Sequence, residues 1–379
     1  MVILHISPFL QYFYGGGEVA TLDLIAGLDE PCRVVCLAGG TAQFPFHCAR
    51  TSLVPIPRLA YEHRFLSQRL KRVLLFFPSA TQDRYWERVL WRRFRDEFET
   101  SDLIHCHGIH WFLPCRRIAQ RLGKPIVLTA HDVLPRELFP GQTNRFIEAL
   151  ILRRLAWQRA EFAAALPKAA AVVTVSEFCA GTLRRFVPGA NVVMIYNWLQ
   201  SFSPAPPAPC GAPRLVYIGR LSREKGVDLL LKAFGRDITL ITTGGPLEKQ
   251  VRRTHPLLRL PHDRVVSVMR DHGLVIVPSR FNEPFGLVCL EARQAGVKIV
   301  ASTAGGIPEI LAGYPNASLV PHDLPEDRFV EALRQAASQA RDAPLYRASD
   351  SEFLEKFSRQ TGLRRHRVLY ESLRAGKPA

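Results

Sequence analysis

The sequence predicts an α/β protein made of two Rossmann-like, doubly wound units. Three observations predict it. Short apolar runs rich in Val and Ile alternate with helix-period segments through residues 1–200; a proline-rich stretch then cuts the alternation; beyond it the alternation restarts. Apolar runs without polar alternation suit parallel strands buried on both faces, and their interleaving with helices gives a doubly wound sheet.

In chain order, Val2–Ile6 is a strand, Gly15-Gly16-Gly17 a loop and Glu18–Leu28 a helix. Arg33–Leu37, Leu103–Cys106, Pro125–Thr129, Ala171–Val175 and Asn191–Ile195 are the further strands of the first unit. Ser201–Pro213 holds five prolines. Proline removes a donor and fixes φ, so no helix or central strand survives there, and the stretch is an extended linker. The second unit reads Leu215–Gly219 strand, Gly226–Phe234 helix, Ile238–Thr242 strand, Gly273–Pro278 strand, Gly286–Gln294 helix and Lys298–Ala301 strand. Ser351–Leu373 is a pair of basic helices. The expected organisation is thus 1–200, a linker at 201–213, 214–350, and helices in 351–379 that pack back on the amino-terminal unit. Two such units are expected to face a central cleft lined by the carboxyl ends of their strands.

Composition narrows the class. With 47% hydrophobic and 22% charged residues the chain is ordinary for a folded soluble protein, which excludes disorder. No run of about 18 apolar residues could span a membrane. Met1–Pro8 lacks the basic start and long apolar core of a signal peptide. The eight cysteines form no Cys-x-x-Cys pair, so free thiols in a reducing cytoplasm are expected. A formal charge of +16 calls for an anionic partner. Between Pro57 and Arg95, ten Lys or Arg stand against three acids, interleaved with Tyr61, Phe65, Phe76, Phe77, Tyr85, Trp86, Trp91 and Phe94. That pattern suits a basic amphipathic surface for anionic lipid, such as the inner face of a membrane, or for a lipid-diphosphate acceptor. It suits equally a helical layer with aromatics inward and arginines solvated. No RNA- or DNA-binding motif accompanies the charge, so nucleic acid is not expected.

The densest chemistry lies in Phe281–Glu291, which follows the apolar strand Val275-Ile-Val-Pro-Ser279. Pro284 sits where a helix should begin, since its missing N–H is no loss in a first turn. The N–H groups of Phe285, Gly286 and Leu287 would then face a phosphate together with the positive end of the helix dipole. Glu283 before the helix and Glu291, about two turns in, are poor phosphate ligands but good acceptors from sugar hydroxyls. The combination reads as a nucleotide-sugar site. In the first half, His105 and His107 of Ile104-His-Cys-His-Gly108 share a strand face. A zinc site from His105, Cys106, His107 and His110 fails, because such short spacings cannot wrap a tetrahedron. His131-Asp132 is as well explained by a local turn or cap. Gly15–Gly17 precedes a helix without forming Gly-x-Gly-x-x-Gly, which excludes a dinucleotide-dependent dehydrogenase.

Four stretches in this order carry a family resemblance: Gly15-Gly-Gly-Glu18, Tyr217-Ile-Gly-Arg-Leu-Ser-Arg-Glu-Lys-Gly226, Glu283 through Glu291, and Ala301-Ser-Thr-Ala-Gly-Gly-Ile-Pro-Glu309. Through them nearly the whole chain resembles the family-4 retaining glycosyltransferases of GT-B fold. The resemblance implies that Arg220 and Lys225 neutralise a donor diphosphate as the sugar leaves, without a metal. It implies that Glu291 accepts from the ribose, Glu283 contacts the transferred sugar, His107 lies near the reacting carbon, and Gly16 and Gly17 approach the donor. Taken alone, Arg220 and Lys225 are equally a solvated turn, and Gly305-Gly306 a tight turn that needs glycine with or without ligand.

The implied activity is transfer of a sugar from a nucleoside-diphosphate sugar to a hydroxyl acceptor, lipid-linked or anionic, in polysaccharide, lipopolysaccharide or glycolipid assembly. No cofactor and no required metal are expected. A non-catalytic GT-B binding protein and a nucleotide-sugar epimerase or hydrolase are the alternatives. The sequence departs from the family pattern at Trp198-Leu-Gln200 and in the short stretch from Gly244 to Asp271, which bears on base selectivity.

Overall fold

The computed structural model describes residues 1–8, 10, 16–37, 51–54, 79–109, 111–131, 159–199, 213–346 and 351–376. The chain divides into two compact units. The first comprises Met1–Val175, Cys179–Ile195 and Leu363–Ala379; the second comprises Ser176–Phe178 and Tyr196–Gly362. The expected linker 201–213 lies almost wholly outside the described residues, as do Gly15, His110, Asp132 and the basic, aromatic residues 58–78.

The first unit carries a seven-stranded sheet in the order β3-β2-β1-β4-β5-β6-β7. Its strands are β1 Ile3–Ile6, β2 Cys32–Leu37, β3 Thr51–Val54, β4 Leu103–His107, β5 Ile126–Ala130, β6 Ala171–Thr174 and β7 Val192–Met194. Every pairing is parallel. The apolar runs fall on these strands because parallel strands are covered on both faces and leave no position for a solvated side chain. β3 and, in the second sheet, the two-residue strand Leu257–Leu258 and the final strand have no counterpart in the sequence reading. Thr51-Ser-Leu-Val54 and Ala317-Ser-Leu-Val320 mix polar with apolar residues, as edge strands can.

In the helix Ser79–Thr100, Trp86, Leu90, Phe94 and Phe98 recur every fourth residue and are buried in the first unit's core. Arg84, Arg88, Arg92, Arg93 and Arg95 are exposed. Among the described residues of the basic, aromatic region, the inward-packed helical layer is therefore the arrangement found. No described helix is long and apolar enough to cross a membrane.

The second unit carries a six-stranded sheet in the order β10-β9-β8-β11-β12-β13. Its strands are β8 Arg214–Ile218, β9 Ile238–Ile241, β10 Leu257–Leu258, β11 Gly273–Val277, β12 Lys298–Ser302 and β13 Ala317–Val320, again all parallel. The helices Val227–Phe234 and Glu326–Asp342 pack on one another; Leu229, Leu230, Phe329 and Leu333 join Leu215, Leu240, Leu274 and Val300 in one apolar cluster.

Both sheets reverse their winding between the first and fourth strands, at β1/β4 and at β8/β11. A doubly wound sheet binds its ligand beyond the carboxyl ends of the two strands at such a reversal, where the adjoining loops separate.

Candidate active site

In the second unit, the residues singled out by sequence gather at the β8/β11 reversal. Arg220 and Lys225 follow β8, and Ser279 and Glu283 follow β11. Lys225 donates to both oxygens of Glu283, at 2.5 and 2.7 Å. The Ser279 hydroxyl donates to Glu283 Oε1. The structure thus brings together a group expected on the diphosphate and one expected on the sugar. Arg220 pairs instead with Glu224, at 3.1 Å. The Glu224 carbonyl accepts from the N–H groups of Arg280 and Phe281, at 2.9 and 3.1 Å, which ties the two strand-end loops through their backbones.

Glycines make the close approaches possible. Gly226 has φ 69°, and a Cβ there would stand 2.0 Å from the Pro278 carbonyl oxygen. Gly305 has φ 64°, and a Cβ would stand 2.2 Å from the Glu283 carbonyl oxygen. That same carbonyl accepts from Gly306 N–H at 2.8 Å. Gly305-Gly306 therefore holds the loop of Glu283 from behind, a role that the tight-turn expectation did not contain.

One expectation is corrected. The helix begins at Leu287, not at Pro284, because Gly286 takes the N-cap with φ 101° and delays helical geometry. Leu287 and Val288 therefore supply first-turn N–H groups, while Phe285 and Gly286 lie ahead of the helix. The Phe285 ring is buried, with Phe357 at a centroid distance of 5.8 Å. Glu291 is the fifth helical residue, little more than one turn in, and is buried.

In the first unit, β1 and β4 pair His5 with His105. Paired positions of parallel strands, and positions two apart, share a face, so His5, His105 and His107 meet. Ring centroids lie 5.5 Å apart for His5–His105, 5.2 Å for His5–His107 and 4.1 Å for His105–His107. His105 is satisfied at both nitrogens, by Tyr370 Oη and Thr129 Oγ1, each at 2.7 Å. His107 Nε2 and His5 Nδ1 share a hydrogen bond of 2.9 Å. His107 Nδ1 and His5 Nε2 are buried without a partner. Burial holds the His5 ring at a pKa of about 3, His366 adding to the effect, and pushes His105 and His107 well below the usual range, with neighbouring imidazoles adding to it.

The sequence reading named His105 and His107 but missed His5. Its signal was a histidine at an inward position of the apolar run Ile3-Leu4-His5-Ile6. These three rings are the only group of described residues whose ligand atoms lie within 4.8 Å of one another. An ion there could bind His105 only by displacing Tyr370 or Thr129 from one of its nitrogens. The three rings fit a hydrogen-bonded cluster better than a metal centre.

The glycine run also differs from expectation. Gly16 and Gly17 lie inside the helix Gly16–Gly27 rather than in a loop before it. A Cβ on Gly17 would stand 3.2 Å from His131 Cγ, so that glycine makes room for His131.

Two doubly wound units, the second with cations, buried carboxylates and a helix start at its reversal, define a GT-B glycosyltransferase. The chain belongs to glycosyltransferase family 4: the model of Glycosyltransferase Family 4 matches residues 14–200, and that of Glycosyl transferases group 1 matches 201–348. Alpha-maltose-1-phosphate synthase of Mycobacterium tuberculosis is 26% identical over 91% of this chain and 92% of its own. Sucrose-phosphate synthase of Thermosynechococcus elongatus superposes with a TM-score of 0.71 at 18% identity, over 99% of this chain and 100% of its own. HepE of Anabaena, solved with UDP, superposes with a TM-score of 0.67 at 18% identity, over 98% and 100%. At such identities the solved structures speak for the fold alone.

Proposed function

We propose that this glycosyltransferase is a retaining enzyme that moves a sugar from a nucleoside-diphosphate sugar to a hydroxyl acceptor without a required metal. The Lys225–Glu283–Ser279 cluster at the β8/β11 reversal carries the reading. A cation is held there against a buried carboxylate, beside a helix start. Lys225 and Arg220 take the diphosphate with the first-turn N–H groups of Leu287 and Val288; Glu283 holds the transferred sugar and Glu291 the ribose. The departing diphosphate gains negative charge, and fixed cations and helix dipoles stabilise it where other enzymes use an ion. The incoming hydroxyl attacks on the face that the diphosphate leaves, and a phosphate oxygen takes its proton, so no carboxylate nucleophile is needed. His107 lies near the reacting carbon.

The net charge of +16 suits an acceptor that carries phosphate, and the name of the mycobacterial relative includes a sugar phosphate. The proposed place is the cytoplasm, in polysaccharide, lipopolysaccharide or glycolipid assembly. The decisive experiment is calorimetry with UDP, GDP, ADP and their glucose or mannose esters, with and without EDTA, followed by NMR of the product anomer. Selective binding of one diphosphate unaffected by chelator, and an axial product from an axial donor, is the expected outcome. An inverted product, or binding abolished by EDTA, overturns the retaining or the metal-free part respectively.

A further inference from the structure

We infer that His5 is a positioning residue: it fixes the tautomer of His107 so that Nδ1 presents an N–H to substrate oxygen. The inference deepens the reading in which His107 meets the reacting sugar, and rests on it for the identity of that oxygen.

β1 and β4 are neighbours, and their register sets His5 opposite His105, two strand positions from His107 on the same face. All three rings are neutral, because charge is costly at such burial. A neutral imidazole carries one N–H and one bare nitrogen. In the His5 Nδ1–His107 Nε2 bond, therefore, one ring donates and the other accepts, and the choice settles both outer nitrogens. If His5 donates, His107 carries its proton on Nδ1 and His5 Nε2 is bare. If His107 donates, its Nδ1 is bare and His5 Nε2 carries the N–H.

His105 plays no part in this choice, since Tyr370 and Thr129 occupy both of its nitrogens. The orphans decide the sense. His107 Nδ1 and His5 Nε2 are both buried without a protein partner. A ligand that pairs with His107 Nδ1 leaves His5 Nε2 as the lasting orphan. Buried unpaired N–H groups are rarer than under-satisfied acceptors, so the bare form at His5 is favoured. That form makes His5 the donor and gives His107 an Nδ1–H for a sugar or acceptor oxygen.

The test uses the full chain with ¹⁵N-labelled histidine, in wild type, His5→Asn and His5→Leu. Imidazole ¹⁵N–¹H correlation spectra report the tautomer, calorimetry reports UDP affinity, and hydrolysis of UDP-glucose reports turnover. The wild-type spectrum is expected to show His107 protonated at Nδ1. His5→Leu should shift His107 toward a mixture of tautomers and lower turnover by on the order of tenfold to a hundredfold, the loss seen when a ring-orienting partner is removed. UDP affinity should stay within about twofold, since the groups assigned to the diphosphate belong to the second unit and His5 to the first.

His5→Asn should recover most of the rate, because its amide N–H stands where Nδ1–H stood. Three results overturn the inference: His107 protonated at Nε2 in wild type, equal turnover in the Asn and Leu variants, or a stoichiometric transition metal in the purified protein. If UDP-glucose is inert with wild type, it is not the donor, while the wild-type spectrum still decides the tautomer. If the Leu variant does not fold, wild type and His5→Asn still decide it.

Discussion

Lys225 is held by Glu283, so a diphosphate that takes Lys225 as proposed must share it, and removing the carboxylate should strengthen binding of the bare nucleotide. A phosphate oxygen on the free side of the ammonium, at about 2.8 Å, would sit about 5 Å from the Glu283 oxygens, given the 2.5–2.7 Å of the existing pair. Two unit charges at that separation repel by about 0.8 kcal/mol in water and about 3 kcal/mol at an effective dielectric constant of 20. Lys225 is 29% exposed, which favours the lower end. Glu283→Gln should therefore bind the nucleoside diphosphate that calorimetry selects more tightly by about 1 kcal/mol, or about fivefold. Lys225→Met removes a charge-assisted bond and should weaken binding by about tenfold to a hundredfold.

Stability should move asymmetrically as well. Glu283 is 9% exposed, so Lys225→Met strands a buried carboxylate with Ser279 as its recorded partner and lowers stability by about 2 kcal/mol. Glu283→Gln leaves an ammonium that reaches water and should change stability by less than about 1 kcal/mol. Calorimetric titration of that nucleotide and thermal melts of both variants read all four quantities. A folded Glu283→Gln that binds the same nucleoside diphosphate more weakly than wild type refutes the charge-competition reasoning and removes Lys225 from the diphosphate.

Gly305→Ala should destabilise the second unit by about 3 kcal/mol or more, since φ is 64° and its Cβ would overlap the Glu283 carbonyl; urea melts check this. Glu291→Ala should weaken nucleotide binding, and His107→Ala should spare binding while lowering turnover; paired calorimetry and rate measurements separate them. Acid should destabilise the first unit through His5. Its folded pKa of about 3 lies below the unfolded 6.5, so its contribution is complete above 6.5 and falls away as pH drops. The loss is about 1.4 kcal/mol per pH unit, about 2 kcal/mol at pH 5. His5→Asn should remove that share of the acid slope in denaturant melts between pH 5 and 7.

The strands were legible because buried parallel strands tolerate few polar residues. Leu274-Val-Ile-Val277 can be little else, and its predicted ends lie within a residue of the observed ones. The edge strands β3, β10 and β13 were silent, β3 and β13 being half-polar and short and β10 only two residues long. Lys225 and Glu283 were named from their motifs, but their pairing was not, since 58 positions separate them and only the β8/β11 adjacency closes the gap. The true helix start was hidden because Pro284 and Gly286 both mark helix ends, and the φ of Gly286 settled which one governs. His5 escaped notice because sheet register, which joins it to residues a hundred positions away, is not written in any local window.

The loops after β8 and β11, and the turn at Gly305, meet one another mainly through main-chain atoms. Gly226 lies against the Pro278 carbonyl, Gly305 against Glu283, and the Glu224 carbonyl under Arg280 and Phe281. Main-chain contacts survive most changes of side chain, so this frame separates what a lineage must inherit from what it can rewrite. Selection could alter side chains along these loops without resetting the scaffold beneath. A library that varies these loops would do well to leave Gly226 and Gly305 untouched.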